Sequence, residues 1–64
     1  MLSEGTLSLA LDALKEEVSG IQRSMEGWKE TSATYKRLEI EEFELLKAIG
    51  EIQGVLEEMA KNRD

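Results

Sequence analysis

The feature that most limits what this chain can fold into is a change of phase in its apolar pattern. Along the first half the large apolar residues are Leu7, Leu11, Leu14, Val18, Ile21, Met25 and Trp28. Their steps alternate between four and three, which draws one stripe down a helix. In the second half Tyr35, Leu38, Glu42, Leu45, Ile49, Ile52, Leu56 and Met59 step by three and four, with Glu42 as a polar intruder. The stripes do not share a phase. Extending the first would put Ser32 and Glu39 on it, and extending the second backwards would put Thr31 and Ser24 there. A straight helix would have to shift its apolar face in this stretch. Between the stripes lies Thr31-Ser32-Ala33-Thr34, with Gly27 as a weak point just before it. Ser and Thr hydroxyls compete with helical backbone bonds and suit caps and turns.

Folding the chain back near residues 31 and 32 brings the stripes together. Trp28 then meets Tyr35, Met25 meets Leu38, Val18 meets Leu45, Leu14 meets Ile49, Leu11 meets Ile52 and Leu7 meets Leu56. The one mismatched pair is Ile21 with Glu42. Proline is absent and good helix formers dominate. The pattern therefore predicts an all-α fold, an antiparallel helical hairpin. It forms a single domain over 1–64, with a helix at about 6–29, a turn at about 30–34 and a helix at about 35–61. The competing arrangement is one long helix in a coiled coil with a local phase shift. Glu42 falls on the seam, where an unpaired carboxylate is costly. It is expected to pair with Arg23 or another cation, or to fix register and oligomer state.

With 64 residues the chain has room for one small domain of marginal stability. Cysteine and histidine are both absent, which removes disulfides and zinc as staples. Oligomerisation is the device that is left, so a homo-oligomeric helical bundle, a dimer or higher, is expected. Its surface is expected on the back of the second helix, where Ile40, Phe43, Lys47, Gly50 and Gly54 repeat at three and four. Ala13, Gly20, Ser24 and Gly27 offer a line of small residues on the first helix. This architecture is similar to that of plasmid copy-number regulators, which are dimers of two hairpins. The likeness is one of fold and does not carry function.

Catalytic constellations are missing. Without His or Cys the usual general base and the strongest nucleophile are lost, and the five glycines form no phosphate loop. Glu39, Glu41 and Glu44 read as a solvated face, with neither the Glu-x-x-His pairs of di-metal bundles nor EF-hand spacing. No enzyme activity, cofactor or metal is expected. A net charge of −6 argues against direct nucleic-acid binding. No apolar run approaches the roughly 20 residues that span a bilayer, and Met1-Leu2-Ser3-Glu4 lacks the basic start of a signal peptide. A cytoplasmic protein is expected, and the opening Met1 points to a complete small reading frame.

The best candidate site is a basic and aromatic window. Residues 21–38 carry a net +2 in an otherwise acidic chain, from Arg23, Lys29, Lys36 and Arg37 against Glu26 and Glu30. The window also holds the single Trp28 and the single Tyr35. In a hairpin all six basic and aromatic residues converge on one end. Aromatic faces stack on bases or pack on a partner, and Arg and Lys grip phosphates. Equally, Trp28 and Tyr35 close the end of the core. The first functional reading is a regulatory protein that binds a protein partner. The alternative is an oligomeric binder of a nucleotide or similar small anion at this basic end. A third is an acidic mimic of nucleic acid, using Glu39 to Glu58.

Overall fold

A computed structural model describes residues 3–62; Met1, Leu2, Arg63 and Asp64, counted in the expected domain, lie outside the described residues. The chain forms two helices packed against each other, α1 at Glu4–Glu26 and α2 at Ala33–Lys61, with no strand among the described residues. Each helix starts on a serine. The Ser3 Oγ accepts from the Thr6 N–H at 3.1 Å, and the Ser32 Oγ accepts from the Tyr35 N–H at 3.0 Å. Each such cap satisfies one of the donors left free in a first helical turn. Glu4 in the first turn of α1, and Arg23 and Lys61 in the last turns of α1 and α2, complement the helix dipoles.

The polar stretch opens α2 instead of forming the turn, so α2 starts at Ala33, ahead of the expected 35. Ser32 caps α2, but Ala33 and Thr34 are already helical. The break falls on the weak point before it. α1 stops at Glu26, short of the expected 29, and Gly27 is its C-cap. The last turn tightens, with the Gly27 N–H donating to the Ser24 carbonyl at 3.2 Å and the Trp28 N–H to the Met25 carbonyl at 3.0 Å. A second short turn follows, closed by the Ser32 N–H on the Lys29 carbonyl at 2.9 Å. Gly27 has φ −83°, so its role is low helix propensity and not left-handed backbone.

The seam between the helices is built from the two stripes. Leu7, Val18, Met25 and Ile49 are buried, and Leu11, Leu14, Ile21, Leu38, Leu45, Ile52, Leu56 and Met59 are half-buried. Trp28 is the exception: it lies beyond the end of α1 and is 51% exposed, so it is not a seam residue. Glu42 is half-buried on the seam, and its partner is not Arg23. Gln22 Nε2 donates to Glu42 Oε2 at 2.9 Å across the helix pair, while Arg23 Nε turns back onto the Ser19 carbonyl at 3.4 Å. A neutral amide thus bonds the half-buried carboxylate in place of a cation.

Two helices make a seam but not an enclosed interior. None of the described side chains is hidden to below 2% exposure. The molecule is a rod of 50 × 16 × 14 Å with a radius of gyration of 14.9 Å; a compact chain of this length has about 11 Å. Its accessible surface is 5123 Å², against about 4,100 Å² for a compact monomer of the same mass.

The caps and the open glycines predict opposite responses to alanine. Ser32→Ala is expected to cost about 1 kcal/mol. Gly20→Ala is expected to add up to about 1 kcal/mol, because nothing lies within 4 Å of an added Cβ. Urea unfolding followed by far-UV circular dichroism measures both; a destabilised Gly20→Ala would mean that another surface is pressed against α1.

Candidate functional site

The turn brings one end of the hairpin into a concave shape, because α1 stops early while α2 continues past it. The result is an open hollow of about 440 Å³. Its walls come from the last turns of α1 (Gln22, Met25, Glu26), the turn itself (Trp28, Glu30) and one face of α2 (Tyr35, Glu39, Glu42). Tyr35, Glu39 and Glu42 lie one and two turns apart and share that face. Glu42 is held in place by its bond from Gln22, so the floor of the hollow is tied to both helices.

The charge of the hollow is the reverse of the sequence expectation. Trp28 and Tyr35 do come together there, but Arg23, Lys29, Lys36 and Arg37 do not line it. Four carboxylates, Glu26, Glu30, Glu39 and Glu42, take their place. The reason is helical phase. A window of sequence collects residues by number, whereas a helix sorts them by angle. Lys36 and Arg37 follow Tyr35 directly and are exposed away from its face, and Arg23 is tied to its own helix. The signal that finds the true lining is spacing: Glu39 and Glu42 stand four and seven residues beyond Tyr35. A nucleotide phosphate would meet four like charges here, so the expected anion site has no counterpart in this hollow.

Farther along the rod, Glu17, Ile21, Glu41, Glu44 and Leu45 enclose a second open hollow of about 350 Å³. It too is carboxylate-rich and has no Lys or Arg in its lining. Among the described residues no group of three or more carboxylates converges tightly enough to hold a metal ion. The acids are spread along the two hollows.

The residues expected to form an oligomer face do not line these hollows. Ile40 and Phe43 are 60% and 68% exposed on the outer side of α2, and Gly50 and Gly54 are exposed on the same side. Three further exposed apolar residues, Leu9, Leu46 and Val55, were not singled out by the stripes. Leu46 and Val55 lie on the two flanks of α2, and a helical-wheel reading that tracked every apolar residue would have found them.

No protein-family model, curated protein sequence or solved structure matches this chain.

The Tyr35 hydroxyl reports the character of the hollow. Its pKa is raised above the ordinary 10.0, first by desolvation and then by the carboxylates of Glu30, Glu39 and Glu42. Both causes disfavour the phenolate. The neutral form is thus favoured by the fold, a contribution complete below pH 10 and lost as pH rises through the raised value. Ultraviolet titration of the single tyrosine is expected to give a midpoint above 10.0 in the folded protein, and Glu30→Gln with Glu39→Gln is expected to lower it. A folded-state midpoint at or below the ordinary value would contradict the acidic lining.

Proposed function

We propose that this protein is a small, non-enzymatic interaction protein of the cytoplasm, a homo-oligomeric helical hairpin that binds and modulates a protein partner. In this reading the turn end of the hairpin receives Lys or Arg side chains from that partner. The observation that carries the reading is the hollow in which Trp28 and Tyr35 stand among Glu26, Glu30, Glu39 and Glu42. A cation over an aromatic face is attracted by the ring quadrupole, and a guanidinium can in addition bond two carboxylate oxygens at once. The hollow supplies the faces and the acids. It lacks the cation, which a partner then provides.

Other features support the same reading. The hollow is formed by capped, mutually packed helices, so little ordering is required on binding. A chain with neither His nor Cys has poor means for general-base or nucleophilic chemistry. No helix among the described residues is long and apolar enough to cross a membrane, which supports a protein that works in solution.

Trp28, the only tryptophan, lines the hollow and gives a built-in reporter. An arginine-rich peptide is expected to shift Trp28 emission in a saturable way, while a neutral peptide of the same length does not. The affinity is expected to fall roughly tenfold or more as salt rises from about 50 to 500 mM, and to weaken in Glu39→Gln and Glu26→Gln. Absence of any response to the arginine-rich peptide would refute this site. A rise in melting temperature with millimolar ATP would instead favour the alternative reading, an anion site on the exposed bases outside the hollow, since stabilisation by a ligand reports binding to the folded state.

A further inference from the structure

We propose that the outer face of α2 is a self-association surface, on which a second copy of the chain docks antiparallel about a two-fold axis beside Leu46 and Lys47. This rests on the homo-oligomeric part of the reading above and gives it a face, a direction and a register. The exposed stripe Lys36, Ile40, Phe43, Lys47, Gly50 and Gly54 steps by four and three along the side of α2 away from α1. Large side chains fill its first half and glycines its second.

That asymmetry selects the direction. In a parallel pair Phe43 would stand against Phe43 and glycine against glycine, one layer crowded and the other void. An antiparallel pair reverses the order. Ile40 lies seven residues before Lys47 and Gly54 seven after it; Phe43 lies four before and Gly50 three after. A two-fold at Lys47 sets Ile40 of one copy over Gly54 of its partner and brings Phe43 to within one residue of the level of Gly50. Nothing in the chain's own fold lies within 4 Å of a Cβ added at Gly50 or Gly54, so both positions are open to receive a side chain. Such contacts let helix backbones approach closely and give the two exposed glycines a role within α2.

Charge complementarity selects the same register independently. α2 carries Lys36 and Arg37 near its start, and Glu57 and Glu58 near its end against the single Lys61 of its last turn. Lys36 lies eleven residues before Lys47 and Glu58 eleven after it. The axis that seats Ile40 over glycine thus also faces Lys36 with the partner's acidic end, once at each end of the contact. A parallel pair would set like charge on like at both ends. At the centre, Leu46 is 48% exposed on one flank and meets its own copy across the axis. Lys47, on the stripe itself, lies near its own copy at the axis, and its long flexible stem lets each ammonium turn outward to water, away from its twin.

The stripe from Lys36 to Gly54 runs about 27 Å along α2, on a rod that exposes 5123 Å² in all. A standard specific interface hides about 800 Å² on each partner. The resulting dimer has the two α2 helices at its centre and the α1 helices outside. Both acidic hollows stay open in it, since no residue of the stripe lines either.

The chain has no cysteine, so single cysteines placed on α2 can be cross-linked without background. Native mass spectrometry of the wild-type chain is expected to give a dimer. With a short bis-maleimide, Lys47→Cys is expected to link to itself. Lys36→Cys is not, because its two copies lie about 33 Å apart in this arrangement. A mixture of Lys36→Cys and Glu58→Cys is expected to link. Gly54→Leu is expected to weaken the dimer at least tenfold, and since leucine is the better helix former the loss cannot come from a broken helix. Circular dichroism confirms that each variant keeps its helices. A wild-type dimer in which Lys36→Cys links to itself, or in which none of these pairs links, overturns the arrangement and leaves the oligomer reading standing. A wild-type monomer at micromolar concentration overturns both.

Discussion

Everything in this molecule depends on one seam of apolar side chains between two helices, and on the fact that one seam is not a core. A helix buries a stripe; two helices bury two stripes against each other and leave their outer faces wet. The consequences are visible in Leu7, Val18, Met25 and Ile49, the best-buried apolar residues, none of which is fully enclosed. A rod held this way gains little hydrophobic stabilisation per residue. It relies on what adds to the seam: serine caps on both helices, charges matched to the helix dipoles, and a carboxylate at Glu42 bonded across the pair by Gln22.

Glu42 deserves comparison with an apolar alternative. A leucine there would pack against Ile21 and complete the stripe. The carboxylate instead stays half-wet and bonded to Gln22, beside the seam and at the edge of the aromatic hollow. One residue thus belongs to both the packing and the site. A polar seam residue that is satisfied in only one register discourages sliding of α1 along α2, and a stripe of similar aliphatic residues does little to prevent such sliding by itself. The same carboxylate adds negative charge to a hollow that already holds Glu26, Glu30 and Glu39.

The hairpin was legible in the sequence because its cause is periodic. The stripes and their loss of phase hold information over many residues, so the seam from Leu7 to Met25 and from Tyr35 to Met59 could be read before any coordinates. Trp28 could not, because a stripe can be extended by arithmetic past the point where the helix itself ends. What ended α1 was local: Gly27 lowers helix propensity and two tight turns follow. The polar residues 31–34 looked like the turn, yet Ser and Thr are as suited to opening a helix as to breaking one. The candidate site was half legible. Trp28 and Tyr35 converge as two residues flanking a reversal must. Their charged neighbours do not follow from proximity in sequence, since Lys36 and Arg37 leave Tyr35 at roughly 100° per residue while Glu39 and Glu42 return to its face.

The separation of charge that results has a physical logic across the whole rod. Basic residues at the start of α2 lie on its outer side, and acidic residues fill the grooves between the helices. Had the bases lined the hollow, they would have neutralised its carboxylates from within and left nothing for a partner's cation to satisfy. Lys36 does not line the hollow and shares the stripe of Ile40 and Phe43. In the proposed reading one set of charges serves a second copy of the chain and the other a different partner, on surfaces that share no residue of the stripe. In a chain of 64 residues with a single seam, the net charge of −6 is thus unevenly divided, with the acids of the hollows between the helices and the bases that open α2 outside them.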